Sequence, residues 1–172
     1  GIRKYKGEIS FPEPAFAAKA VANFTGAKEL CISAPPLFYP NLKPQVNVGE
    51  ALSDLPEIEN SQTTNPEEYV AKPQNDYQRY LRDGCNKLTA HCCARIAEVN
   101  LERLKYIPQG GSWRDIPHDL LPDGLKRARR SDHTKRYGRL HPDALCSTVL
   151  TKCDPHWGSF FHPTQDRVIS VR

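Results

Sequence analysis

Two short clusters and one charged run hold most of the residues whose types and spacing could do chemistry. His91-Cys92-Cys93 and Cys153-Asp154-Pro155-His156 combine imidazole with thiols. A thiol beside an imidazole can be a nucleophile with its base, and both groups ligate zinc. Neither cluster has the paired short spacing of a structural zinc site. Neighbours in a helix also point in different directions, so adjacency of His91 and Cys92 is not catalytic geometry. We expect no metal and no self-contained active site, with Cys acting as a small buried hydrophobe. The six Cys (31, 85, 92, 93, 146 and 153) are unevenly spaced and two are adjacent. That pattern reads as reduced thiols rather than a disulfide framework.

Charge is unevenly divided. Residues 1–86 hold 9 Lys/Arg against 11 Asp/Glu, whereas residues 87–172 hold 15 against 9, so the overall +4 comes from the second half. Within Lys126–Arg139 seven basic residues (126, 127, 129, 130, 135, 136 and 139) face Asp132 alone. A phosphate backbone attracts such a run, because neutralising phosphates releases condensed counterions. A nuclear-localisation signal or a merely solvated face reads similarly. If helical, Lys126, Arg127, Arg129 and Arg130 spread over more than one face, which suits a strip along a groove.

The elements that must position these groups are short. Only 38% of the 172 residues are hydrophobic and 15 are Pro. We therefore expect an α+β, irregular, loop-rich small domain with short helices and a small β-sheet, leaning on a partner domain for burial. Phe11–Pro14 is an extended opening, Ala15–Ala22 a short helix, and Ala34–Pro44, with four Pro, a loop. Val46–Pro56 reads as a strand end followed by one or two helical turns, and Glu57–Pro73 as a surface loop. Helices are expected over Asn75–Arg82, capped by Asn or Asp, and over Thr89–Tyr106, capped by Thr89. Gly110 and Gly111 break the second, and Trp113 and Ile116 tuck a loop onto the core. Leu145–Lys152 alternates enough for a strand. Ser170 would cap a helix just beyond residue 172. Gly1, the absence of Met and this cut lead us to expect a piece of a longer chain. No signal peptide and no apolar run long enough to span a bilayer is visible, so a soluble, intracellular chain is expected.

Three blocks resemble one family. Tyr137-Gly-Arg-Leu, Cys146-Ser-Thr-Val-Leu-Thr and His162-Pro-Thr-Gln-Asp-Arg-Val-Ile-Ser-Val-Arg172 are similar to the part of DNA (cytosine-5) methyltransferases that follows the target-recognition region, above all in eukaryotic maintenance-type enzymes. Gln109–Pro117 (QGGSWRDIP), the Phe-Pro-Glu-Pro segment and Asp54-Leu-Pro56 add to the resemblance, which covers roughly residues 10–172.

The resemblance implies a larger methyltransferase of which this chain is a fragment. Residues 1–56 would be linker and edge of the catalytic domain, 57–136 the target-recognition region, and 137–172 the conserved segment returning to the catalytic domain. The parent enzyme would move a methyl group from S-adenosylmethionine to C5 of a cytosine flipped out of duplex DNA. No Pro-Cys, Glu-Asn-Val, Phe-x-Gly-x-Gly, Gln-x-Arg-x-Arg or Gln-x-Gly-Asn motif is present. Taken alone, the chain should bind no cofactor and methylate nothing.

DNA handling does carry over. Thr148 would lie near the backbone flanking the flipped cytosine, and Arg139 would brace the recognition region against the catalytic domain. One of Lys126, Arg127, Arg129 and Arg130 could read a guanine bidentately, while Lys135, Arg136 and Lys152 would contact phosphates. His162, Pro163 and Arg167 read as structural. Partners would be duplex DNA and the missing catalytic half, with no membrane. Location would be the nucleus for a eukaryotic protein and the cytoplasm otherwise. Two readings compete: a non-catalytic nucleic-acid-binding module or degenerate methylase relic, and a zinc-stabilised interaction domain.

Overall fold

The chain is described by a computed structural model over residues 15–17, 41–64, 66–85, 87–148 and 153–172. Its regular elements are few and short, as expected for an α+β, loop-rich domain. Strands β1 (Phe16–Ala17) and β2 (Lys43–Pro44) form a two-stranded parallel sheet, with Phe16 opposite Lys43. Helices α1 (Val48–Leu52), α2 (Asp76–Arg82), α3 (Glu98–Leu104) and α4 (Asp123–Lys126) follow, with 3-10 turns at Trp113–Asp115 and His118–Leu120.

Local chemistry explains the helix starts. Asn47 accepts from the Glu50 N–H at 2.8 Å while the Glu50 carboxylate accepts from the Asn47 N–H at 3.0 Å, a reciprocal capping box that opens α1. Asn75 caps α2 by accepting from Gln78 N–H at 2.9 Å. Gln78, 2% exposed, then donates to Glu50 O and Ser53 Oγ, fastening α2 to α1.

Three expectations are corrected. Phe16–Ala17 is strand rather than the start of a helix, and Lys43–Pro44 is strand rather than loop; Lys43 N–H donates to Ala15 O at 3.0 Å, so backbone pairing overrides the helix propensity of alanine. Pro44 is tolerated at a sheet edge because no ladder donor is needed there. Residues 18–22 and Phe11–Pro14 lie outside the described residues. The third concerns Thr89–Tyr106, where only Glu98–Leu104 is helical. Residues 91–97 are not helical, because their polar groups are taken by backbone and side-chain groups distant in sequence. Cys93 N–H donates to Gln62 O, Ile96 N–H to Asn60 Oδ1 at 3.0 Å, and Cys93 Sγ to Glu59 O. Burial of His91 and Cys93 with Cys92 half-exposed follows the two-residue period of extended chain, not a helix. Residues 57–64 and 66–73 form loop as expected, and 145–148 make no continuous strand; residues 65 and 149–152 are outside the described set.

One core draws mainly on the second half, joined by Ile58 from the first. Ile58, Ile96, Leu104, Ile107, Trp113, Leu125, Tyr137, Phe160, Phe161 and Val168 pack together, with Phe161 and Leu104 fully buried. The last segment closes on residues 137–140 through Phe161 N–H to Gly138 O and Leu140 N–H to Phe161 O, both 3.1 Å. Trp113 and Ile116 sit in the core, 3% and 5% exposed, as their sequence context predicts.

Candidate nucleic-acid interface

The basic run is not helical beyond Lys126. Leu125, 1% exposed, anchors α4, and the chain then leaves in successive turns closed by Asp132 N–H to Arg129 O and Arg136 N–H to His133 O. Its far end is fixed by Trp113, whose indole donates to His133 O at 3.1 Å and whose N–H donates to Arg136 O at 3.0 Å. His133 and Tyr137 take positive φ, 49° and 51°, which turns the loop back onto the core. The result is a surface loop clamped at both ends by buried aromatics and Leu125.

Within it, Arg127, Arg129 and Arg130 are exposed. Lys126 pairs with Asp123 at 3.2 Å and Arg130 donates to Arg114 O at 3.2 Å, whereas no ion pair among the described residues involves Arg127 or Arg129. Lys135 and Arg136 are half-buried and line a hollow of about 430 Å³ with Ser131, His133, Thr134 and Trp157. The Arg136 guanidinium lies over the Trp157 ring, 5.3 Å from its centre. Neither Trp157 nor His156 is in the DNA-contact set expected from sequence, and nothing in the residue string marks Trp157 as exposed.

Arg139 faces inward. Its side chain donates to Ile107 O at 3.3 Å and pairs with Asp166, while its backbone bonds Gly110 and Gly111. Gly110 holds φ at +75°, a conformation suited to glycine. Arg139 thus ties the Gly-Gly turn to the closing segment. Thr148 is exposed. Lys152 lies outside the described residues.

The thiol and imidazole clusters resolve into packing. Both ring nitrogens of the buried His91 are engaged, Nε2 with Pro56 O at 2.8 Å and Nδ1 with Ser170 Oγ at 2.9 Å, and burial pulls its pKa down. His162 Nδ1 accepts from the N–H groups of Thr164 and Gln165 at 3.2 and 3.0 Å. Burial, aided by Arg167, pushes His162 down to about 3, so it is a neutral acceptor. Arg167 donates to Gln165 Oε1 at 2.7 Å and Val168 O at 2.9 Å. Cys153 packs against the core. Among the described residues no group of three or more His, Cys, Asp or Glu is placed to hold a metal.

A second feature is an apolar cleft of about 830 Å³ between β2 and α2, with Phe16, Val46, Tyr77, Tyr80 and Leu145 in its lining. Its acid Asp76 is held by Arg79 and Lys43, which keep its carboxyl below the usual range. Glu50 is committed to its capping box. No helix of the described residues is long and apolar enough to cross a membrane.

The chain is similar to plant and bacterial DNA methylases. It is 30% identical to DNA (cytosine-5)-methyltransferase 3 of Zea mays over 175 aligned positions, covering 77% of this chain and 19% of the relative. It is 34% identical to DNA (cytosine-5)-methyltransferase 4 of Arabidopsis thaliana over 144 positions, 74% of this chain and 10% of the relative. Identity to the type II methylase M.HgiDII of Herpetosiphon aurantiacus is 35% over 83 positions, 48% of this chain and 23% of the relative. The chain therefore spans less than a quarter of each of these three relatives. No protein-family model matches it.

Proposed function

The chain belongs to the DNA (cytosine-5)-methyltransferase family, and on that premise we propose that it is the part of such an enzyme that grips duplex DNA and helps choose the target site. The observation that carries this reading is the clamped basic loop: Arg127 and Arg129 are exposed without an ion pair among the described residues, beside the Arg136–Trp157 hollow. Basic side chains on a preformed loop meet a phosphate backbone without a large ordering cost. In this reading Lys126, Arg127, Arg129, Arg130, Lys135, Arg136 and Lys152 contact DNA, Thr148 lies near its backbone, and Arg139 braces from within.

Residues 57–136 are the target-recognition region and 137–172 the segment leading back to the catalytic body. The shared core from Ile58 to Val168 supports their working as one unit. The catalytic body of the parent enzyme supplies the nucleophile and the S-adenosylmethionine site, so this chain alone transfers no methyl group. Exposed apolar residues away from the loop, Tyr80 at 78% and Val171 at 86%, suit contact with that body. In a eukaryotic cell the enzyme acts in the nucleus.

Photocrosslinking the full chain to a duplex, followed by mapping of the attached peptides, tests the assignment. Attachment within residues 126–136 is expected. Crosslinks confined to the Tyr77–Tyr80 cleft would move the DNA face to the other feature and overturn it.

A further inference from the structure

Trp157 is more exposed than a residue held in place by so much structure needs to be. It is 59% exposed, whereas the chain's other tryptophan, Trp113, is 3% exposed. Yet it stands at the end of an aromatic ladder rooted in the core. Buried Tyr137 meets His156 edge-on, with ring centres 6.0 Å apart and planes at 87°. His156 meets Trp157 edge-on, at 5.3 Å and 88°. The turn carrying the ladder is fixed by Trp157 N–H to Asp154 O at 2.9 Å, His156 N–H to Asp154 Oδ1 at 3.0 Å, and Tyr137 N–H to Pro155 O at 2.6 Å. A large indole held in place with more than half its surface in solvent gives up much of the burial it could have. Its surroundings are polar and cationic: Arg136 over the ring, and Ser131, His133, Thr134 and Lys135 around the hollow.

From this geometry we propose that Trp157 and Arg136 form a stacking site for one nucleobase displaced from the stack of the bound DNA, with Arg136 beside its phosphate. The chemistry is that of single-strand recognition, in which an aromatic face takes a base of any sequence and an adjacent cation takes the backbone. A base inside an intact duplex hides both faces from such a platform. The site therefore discriminates by accessibility of a base rather than by its edge. A rigid aromatic with two side-chain torsions stacks at low ordering cost. Phosphate contact by the basic loop places the duplex, and Trp157 engages only where a base is unstacked. This assignment rests on the DNA-gripping reading above and adds a preference to it.

The test uses the full chain and two labelled duplexes that differ by one bulged cytosine, read by fluorescence anisotropy. Stacking worth about 1–3 kcal/mol corresponds to roughly 5- to 150-fold, so the bulged duplex should bind at least about fivefold tighter. Trp157→Ala should reduce that preference to within about twofold, and Trp157→Phe should keep part of it. Wild-type indole emission should quench on adding the bulged duplex, and Trp157→Phe, which retains only buried Trp113, should lose the quench and report that the fold is intact. Equal affinity for the two duplexes, or a preference unchanged in Trp157→Ala, overturns the stacking site alone. Absence of binding to either duplex by a folded chain overturns both this site and the DNA-gripping reading.

Discussion

Gly138→Ala should damage the closure that joins the basic loop to the last segment. A Cβ built at Gly138 would clash with Ser159 Oγ and lie 2.6 Å from Ser159 Cβ and 2.8 Å from Ser159 Cα. The last of these atoms is backbone, so no rotamer change relieves the overlap. Gly138 is buried, and its N–H and C=O bond Gly158 O at 3.3 Å and Phe161 N–H at 3.1 Å. Overpacking costs about 1–3 kcal/mol, and straining two buried backbone bonds adds about 1 kcal/mol each. We expect a loss of about 3–5 kcal/mol, a drop of roughly 6–20 °C in melting temperature for a chain of this size. Urea and thermal unfolding followed by circular dichroism and Trp emission would measure it. Gly138→Ala/Ser159→Gly removes the side-chain half of the clash and leaves the overlap with the backbone of residue 159. The pair should therefore be less damaging than the sum of its singles by more than about 1 kcal/mol. A Gly138→Ala chain within about 0.5 kcal/mol of wild type would refute the close approach.

Phe161→Ala removes a fully buried ring from the centre of the core and should cost about 3–5 kcal/mol in denaturant unfolding. Asn47→Ala, which deletes the α1 capping box, should cost about 1 kcal/mol, whereas Asn47→Asp should cost far less. Acid should destabilise the chain through histidine: His162 is held neutral with a folded pKa of about 3, below its unfolded value near 6.5, and His91 is shifted in the same direction. That contribution is fully present above pH 6.5 and is lost as pH falls from there towards 3, with a limiting slope of about 1.4 kcal/mol per pH unit for each group. His162→Asn, which keeps an acceptor for Thr164 and Gln165, should flatten the stability profile by about one proton; an unchanged profile would sink the assignment.

Much of the skeleton is legible in the residue string where local chemistry decides. Asn75 ahead of an amphipathic run gives α2 its start, Pro56 follows the α1 turns, and Trp113 and Ile116 after a Gly-Gly break do tuck into the core. Long-range hydrogen bonding hides the rest. Residues 89–97 carry apolar spacing compatible with a helix, but Gln62 O, Asn60 Oδ1 and Glu59 O claim their donors from elsewhere in the chain. The short sheet likewise depends on a partner 27 residues away, Phe16 to Lys43, which no local pattern announces. At the interface, the basic run is plain from composition, while its inward member Arg139 and the outward Trp157 are separable only by packing. Arg139 and the exposed Arg127 look alike as letters, yet one holds Ile107 O and Asp166 and the other faces solvent.

The central claim is that the clamped basic loop grips DNA through phosphates, and the salt dependence of binding tests it most directly. The affinity of the full chain for a paired duplex should be measured across a salt series, beside a variant with Lys126, Arg127, Arg129 and Arg130 changed to Ala. Each lost phosphate contact lowers the slope of log K against log salt by about 0.9. The variant's slope should fall by about 2–4 with binding greatly weakened at physiological salt, while its melting temperature is little changed because these side chains are mostly exposed. An unchanged slope in a folded variant would contradict the account, because the phosphate contacts would then have to lie elsewhere on the chain.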